Sequence, residues 1–342
     1  MHLYMVVMGE YMWNTIQVAV QGRSHVSNGI PCQDKTFVLE KDGCTVISLA
    51  DGAGSAKYSH YGAEVVIQYA CNNIAEHFNE YFQTQDGLAV KKQVLEGLLE
   101  CLEITAQKYQ CLISDLASTL LLVAVKDSRY ILLHIGDGVI GYKKDDAMLV
   151  ASRPDNGEFA NTTVFVTSSA ALGAMRLIKG SLGKINGFVL MSDGSESCLY
   201  QKRENRLAPI IKSIIEYMGI LQLDKVQDMV EHIFMDLVVK KTADDCSIVV
   251  MTWNAGNGGF ESLPNSEKIE LLRLKCESES AKKRLKRYEA ILSFLKTERT
   301  LYDIARYLYM AKQIKKVQMY VDTLLELNFI EQNGNKYKTM MV

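Results

Sequence analysis

The chain has 342 residues, 48% of them hydrophobic and 23% charged, with a formal net charge of −2. That gives room for one large domain and a small one, an ordinary globular composition, and no overall attraction for nucleic acid. The charge is uneven: from Glu261 onward 16 Lys+Arg stand against 11 Asp+Glu, a net of +5 that leaves −7 for the first 260 residues. The larger part is therefore excluded as a polyanion binder and is suited to holding divalent cations.

The N-terminal stretch MHLYMVVMGEYMW lacks a basic flank and is interrupted by Glu10, so it is expected to be a first strand rather than a signal peptide or membrane span. IQVAVQGRSHVSNGIPCQDKTFVLE reads as strand, polar loop, strand, and CTVISLADGAGS as a strand ending in a sharp turn. YGAEVVIQYACNNIAEHF and VKKQVLEGLLECLEITAQKYQ have helical spacing. LASTLLLVAVKDSRYILLHIGDGVIGYKKDD then predicts three strands, and NTTVFVTSS a further one. Before and around NTTVFVTSS, the stretch from Ser152 to Leu177 is irregular. GFVLMSDG repeats the theme of an apolar strand ending on Asp-Gly, helical spacing returns over 208–240, and DDCSIVVMTWN closes the domain as a strand. Strands do not alternate regularly with helices, which argues against a doubly wound sheet and for helices covering antiparallel sheets. Gly, Asn and Ser cluster at 254–266, as in a linker. Beyond it come a helix with a basic run at Lys282–Arg287, two more helices and a short extended end, the pattern of a winged helix. The expected domains are 1–255, a linker at 256–268, and a small domain at 269–342.

Eight cysteines occur with no CxxC spacing, several inside apolar periodic runs. They read as buried free thiols, which suits a reducing, cytoplasmic setting. Carboxylates abut apolar runs at five places spread over about 210 residues: Asp34 in PCQDK, Asp51 in ADGAG, Asp137 in HIGDGV, Asp193 in MSDGSE, and Asp244-Asp245 in TADDCSIVV. Asp-Gly is a common turn dipeptide, so unrelated turns would explain each one singly. Strand ends of one sheet can also meet in space. Their mutual repulsion would then call for divalent cations with oxygen preference. From the residues alone both readings stay open.

The ordered set Gln33-Asp34, DGAGS at Asp51–Ser55, AST at Ala117–Thr119, GDG at Asp137, SDG at Asp193 and DDCSIVV from Asp244 resembles the metal-dependent serine/threonine protein phosphatases, the protein phosphatase 2C or PPM family. Across residues 12–253 it is similar to the bacterial branch that carries SH…PCQD and DGAG. The resemblance implies an α+β fold of two packed antiparallel sheets flanked by helices. It implies that Asp51 bridges two Mn2+ or Mg2+ ions with the Gly52 carbonyl on one of them. Asp193 and Asp244 would hold the second ion, Asp34 would act through water, and Asp137 would support a third, weaker ion. The implied reaction is in-line attack of a metal-activated water on phosphoserine or phosphothreonine of a protein, with no covalent enzyme intermediate, reversing a partner kinase.

Three positions depart from the family pattern. Gln33 stands where the family often has Glu, and Ala53 where it often has a histidine proposed as general acid; His60 is nearby and reads as a helix residue. The phosphate-binding arginine that many members place just before the acidic pair is missing. Arg23 and His25 are the candidates, or Arg23 is a solvated loop residue. Ala53 and Gln33 also fit a second reading, a catalytically weak module that binds a phosphoprotein. Glu158 and Asn161 fall in the stretch resembling the flap of this branch. For the C-terminal domain, KQIKKVQMYVDTLLELN has its basic residues crowded at its start, which favours protein contact or regulation over DNA binding.

Overall fold

The computed structural model describes residues 13–154, 163–253, 259–274 and 278–341. The N-terminal stretch 1–12 expected to begin a first strand, Glu158, Asn161 and Cys276 lie outside these residues.

In chain order the first elements are β1 (Trp13–Val20), α1 (Arg23–Asn28), β2 (Lys35–Lys41), β3 (Cys44–Ala50), α2 (Ser59–Gln83), α3 (Gly87–Tyr109), β4 (Leu120–Lys126), β5 (Arg129–Ile135), β6 (Val139–Lys144) and β7 (Ala147–Ser152). There follow α4 (Ala171–Ala174), β8 (Arg176–Ser181), β9 (Ile185–Met191), α5 (Asp193–Leu199), the short β10 (Tyr200–Gln201) and β11 (Arg206–Leu207), α6 (Pro209–Met218), α7 (Leu223–Ile233) and β12 (Cys246–Trp253). The strands form two five-stranded antiparallel sheets, β1-β12-β9-β6-β7 and β2-β3-β4-β5-β8. The expected antiparallel α+β sandwich is what the chain builds.

β3 and β4 are apolar without alternation because both of their faces are covered. Ile47, Leu49, Leu121 and Val123 meet Phe188, Leu190, Val249 and Met251 of the other sheet. Val46, Ala50, Leu120 and Leu122 meet α2 and α3. α2 carries several weak helix formers, among them Val65, Val66, Ile67, Asn72 and Asn73. Its propensity deficit is a few tenths of a kcal/mol per residue. Complete burial of Val66, Ile67, Ile74 and Phe78 contributes roughly 1.5–3 kcal/mol each, so packing decides the helix. Asp86 caps α3 by accepting from the Leu88 and Ala89 N–H groups at 3.0 Å.

The expected polar loop after β1 contains a helical turn, α1, whose only buried side chain is His25. The strand expected in NTTVFVTSS is absent over Thr163–Ser169. There Phe165 N–H is taken by the Ser168 hydroxyl and Val166 N–H by the Ser118 carbonyl, a local turn strapped to the AST segment. The sheet edge is supplied instead by β8, which pairs with β5.

The chain divides into two compact units, 1–215 with 227–254, and 216–226 with 255–342. The second unit contains α8 (Gly259–Ser262), α9 (Asn265–Leu271), α10 (Glu279–Phe294), β13 (Arg299–Thr300), α11 (Leu301–Tyr307), α12 (Ile314–Glu326), β14 (Ile330–Asn333) and β15 (Lys336–Thr339). β13-β15-β14 form an antiparallel sheet beside three helices, and Leu285, Tyr288, Ile291, Ile304, Val321, Leu324 and Phe329 are almost fully buried. The described part of the expected linker, 259–268, is folded: Phe260 is buried, and the buried Lys268 donates to Glu289 at 2.9 Å. Residues 216–226 join this unit through Gln222 N–H, which donates to the Met340 carbonyl at 2.9 Å.

Candidate metal centre

Register alone brings the acidic positions to one end of the sandwich. Lys35 pairs with Ala50, Leu49 with Leu121 and Leu120 with Ile135, so Asp34, Asp51 and the turn carrying Asp137 share one end of the β3 sheet. Met191 pairs with both Val139 and Ile248, so Asp193 and the Asp244-Asp245 pair share the same end of the other sheet. Ser247 ties the two sheets together there by donating to Asp34 Oδ2 at 2.6 Å.

Asp51 is fixed by its backbone. Its N–H donates to the Thr119 hydroxyl at 2.9 Å, its carbonyl accepts from Thr119 N–H at 2.9 Å, and Ala53 N–H reaches the Ala117 carbonyl at 2.9 Å. The Asp51 carboxyl interacts with those of both Asp34 and Asp193. Burial, followed by the charges of Asp34 and Asp193, raises Asp51 well above the carboxylate range. Asp34, 1% exposed, is pushed up to about 7, chiefly by burial and in spite of hydrogen bonds from Ser247 and Ser192. Asp193 is pushed up to about 6 by burial and then by the charge of Asp137, with Asp244 adding to it. Oδ1 of Asp34 and Oδ1 of Asp193 are buried with no hydrogen-bond partner in the protein. The influences dominating these three groups are burial, other carboxylates and hydrogen-bond donors, with no cationic side chain among them. Carboxylates packed this way are mismatched to any apolar or hydrogen-bonded interior, and the all-oxygen donor set fits a hard divalent cation.

Asp244 and Asp245 are adjacent and behave oppositely. The Asp244 side chain is 54% exposed and within electrostatic reach of Asp51 and Asp193. Asp245 is 2% exposed. Its Oδ1 accepts from Gly22 N–H and its Oδ2 from Gln33 N–H, each at 2.6 Å, and His25 Nδ1 lies 2.9 Å from Oδ1. His25, Asp244 and Asp245 gather ligand atoms within 4.8 Å of one another. With both Asp245 oxygens already taken by backbone donors, this triad acts as the brace that fixes the α1 segment and hence Asp34. Side chains are excluded around the brace: a Cβ on Gly22 would stand 2.3 Å from the Asp244 carbonyl carbon, and one on Gly194 1.9 Å from the Asp245 oxygen.

The remaining candidates fall as follows. Gly52 pairs with Ser118 beside Asp51. Asp137 accepts a short hydrogen bond from the Thr163 hydroxyl. Arg23 is exposed, and its guanidinium donates to the Thr242 carbonyl at 3.1 and 3.2 Å, two residues before Asp244. His25 is buried against Asp245 rather than free to meet a phosphate. Gln33 is 4% exposed with its Oε1 unpartnered. Ala53 is buried with Ala56, Ala117 and Phe165, and the His60 ring lies on Tyr61 with centroids 4.0 Å apart. The supporting groups Thr119, Ser247 and Asp245 were missed as such in the sequence; the doubled Asp244-Asp245 was the one signal that pointed to a division of labour.

A sequence model of the family described as protein phosphatase 2C matches residues 21–233. The chain belongs to the protein phosphatase 2C family. Over 260 residues it is 21% identical to Serine/threonine-protein phosphatase 3 of Escherichia coli (strain K12), covering 70% of this chain and 98% of that protein. Among solved structures it is similar to the S. agalactiae serine/threonine phosphatase (13% identity, TM-score 0.49, 70% of this chain and 99% of that one). It is likewise similar to serine/threonine phosphatase Stp1 from Staphylococcus aureus (14%, 0.49, 70% and 95%). A third is the catalytic domain of serine threonine protein phosphatase PstP, solved with two manganese ions (16%, 0.48, 71% and 98%). The expectation of a serine/threonine protein phosphatase is thus met at the level of family. Among the described residues no helix is long and apolar enough to cross a membrane.

Proposed function

We propose that the chain hydrolyses phosphoserine and phosphothreonine on proteins with the help of bound Mn2+ or Mg2+. The observation that carries this reading is the crowding of Asp34, Asp51 and Asp193 at one end of the sandwich, with an unpartnered buried oxygen on two of them. Asp51, Asp193, Asp244 and the Gly52 carbonyl would hold two ions, Asp34 would act through water, and Asp137 would support a third. When bound, such ions acidify a water and take up charge from the phosphoryl oxygens. The protein's own groups place these ligands. Thr119 fixes the Asp51 backbone, Ser247 orients Asp34, and the Asp245 brace sets the α1 segment against the start of β12. Arg23, steadied by the Thr242 carbonyl beside Asp244, would meet the substrate phosphate. The substrate is a phosphorylated protein, which implies a partner kinase. Seven described cysteines are free, which supports a cytoplasmic setting; the second unit serves protein contact in preference to DNA.

Phosphate release from a phosphothreonine peptide, with and without Mn2+, tests the reading beside Asp193→Asn. Turnover that needs Mn2+ and is lost in Asp193→Asn is expected; turnover unchanged in the variant would remove Asp193 from the chemistry. The second reading, a catalytically weak phosphoprotein-binding module, draws on Ala53. Its apolar surroundings leave no histidine at that position to protonate a leaving group. Phosphopeptide binding with Mn2+ but no turnover would select it.

A further inference from the structure

The second unit carries a groove of about 780 Å3 between α10 and α12, lined by Lys283, Arg284, Arg287, Lys315 and Lys316. Glu279 is the single carboxylate among its described lining residues, and it already faces Lys282 at 3.4 Å. Among the described residues Lys283, Arg284, Lys315 and Lys316 have no ion-pair partner, and all four are exposed. Like charges four apart on a helix, as at Lys283 and Arg287, destabilise it by a few tenths of a kcal/mol, so the concentration of charge is a cost that folding alone does not explain. Two groups are arranged in advance. The Arg287 guanidinium donates to the Tyr320 hydroxyl at 2.7 Å and lies 5.8 Å from that ring's centre. Tyr288, also in the lining, has a buried hydroxyl with no hydrogen-bond partner in the protein. A steadied guanidinium, converging ammonium groups and a spare hydroxyl donor suit a compact dianion with several acceptor oxygens. An extended polyanion fits less well, because the later turns of α12 present Asp322 and Glu326. Met319, 68% exposed at the groove, offers apolar surface to the chain flanking such a dianion.

We propose that this groove binds a phosphorylated segment of polypeptide and so docks a phosphoprotein on the second unit. The choice of a phosphoprotein as occupant rests on the phosphatase reading; the anion site itself does not. The test is fluorescence anisotropy with the full chain in a metal chelator, which keeps the catalytic centre out of play. The probes are a labelled phosphothreonine peptide, its unphosphorylated twin and a labelled DNA duplex, each with the parent and with Arg284→Ala/Lys316→Ala, two exposed positions whose truncation leaves the core intact. The phosphorylated peptide should bind at least tenfold more tightly than its twin, and the double variant should lose about a hundredfold, two charge-assisted contacts' worth. Phosphopeptide binding that survives the double variant, binding of DNA without the phosphopeptide, or no binding at all would each overturn the proposal. Groove-dependent binding without turnover once Mn2+ is restored supports the groove and counts against the catalytic reading, so the two failures are told apart.

Discussion

Replacing Asp193 by Asn should stabilise the metal-free protein at neutral pH while weakening its response to metal. In the folded chain Asp193 is pushed up to about 6 from 3.8, first by burial and then by Asp137. The folded state therefore binds the Asp193 proton more tightly than the unfolded state does. This contribution to stability is most favourable below about pH 4, declines as pH rises, and is gone above about pH 6. At about 1.4 kcal/mol per pH unit, a shift of roughly two units makes an ionised Asp193 cost about 3 kcal/mol at pH 7.5. Asn carries no charge and avoids that cost, and Asp51, raised in part by Asp193, relaxes in the same direction. For a domain of this size the gain corresponds to roughly 6–12 °C in Tm. Thermal unfolding in chelator at pH 4, 5.5 and 7.5 reads the effect: the variant should match the parent near pH 4 and pull ahead as pH rises. Added Mn2+ at pH 7.5 should stabilise the parent more than the variant. A variant equally or less stable at pH 7.5, with no dependence on pH, would show that the carboxylates do not crowd.

The brace yields to a different perturbation. Asp245→Ala leaves the buried Gly22 and Gln33 N–H groups without their acceptor and should cost about 3 kcal/mol, read from the urea midpoint, with faster tryptic cleavage at Arg23 as the α1 segment loosens. Gly194→Ala forces a methyl group against the Asp245 carbonyl and should cost about 1–3 kcal/mol; a Mn2+ titration of phosphatase activity should show weakened metal affinity as Asp193 and Asp244 separate. Ala53→His restores the residue that the family often has, yet the site is closed by Ala56, Ala117 and Phe165. It should destabilise by about 1–3 kcal/mol through overpacking without raising turnover of a phosphothreonine peptide.

Much of the fold was legible because its signals are local. Runs with apolar residues on both faces, such as VISLA and LLLVAV, mark strands covered on both sides, and the 3.6-residue spacing in α2 and α3 marks their buried stripes. α1 was not legible: six residues with one buried side chain carry no periodicity, and the turn is held by contacts to Asp245, more than 210 residues away. NTTVFVTSS misled for the complementary reason. Its β-branched residues favour a strand, but no strand edge is offered to it, and Val166 is buried through a loop contact to Ser118 instead. The linker expectation took in α8 and α9, whose Phe260 and Ile269 supply buried surface to the second unit.

The centre itself shows where sequence patterns stop. Composition and spacing point to acidic strand ends, but they treat Asp244 and Asp245 as equivalent. What separates them is direction. In the bend just before β12 one carboxylate faces the acidic cluster and solvent, while the other turns inward to the Gly22–Gln33 segment. A buried carboxylate with two backbone donors and a histidine beside it is satisfied, whereas Asp34 and Asp193 each keep a buried oxygen that nothing in the protein satisfies. The distinction between a brace and a ligand set therefore lies in hydrogen-bond accounting, which requires knowing which N–H groups from distant parts of the chain arrive at each oxygen.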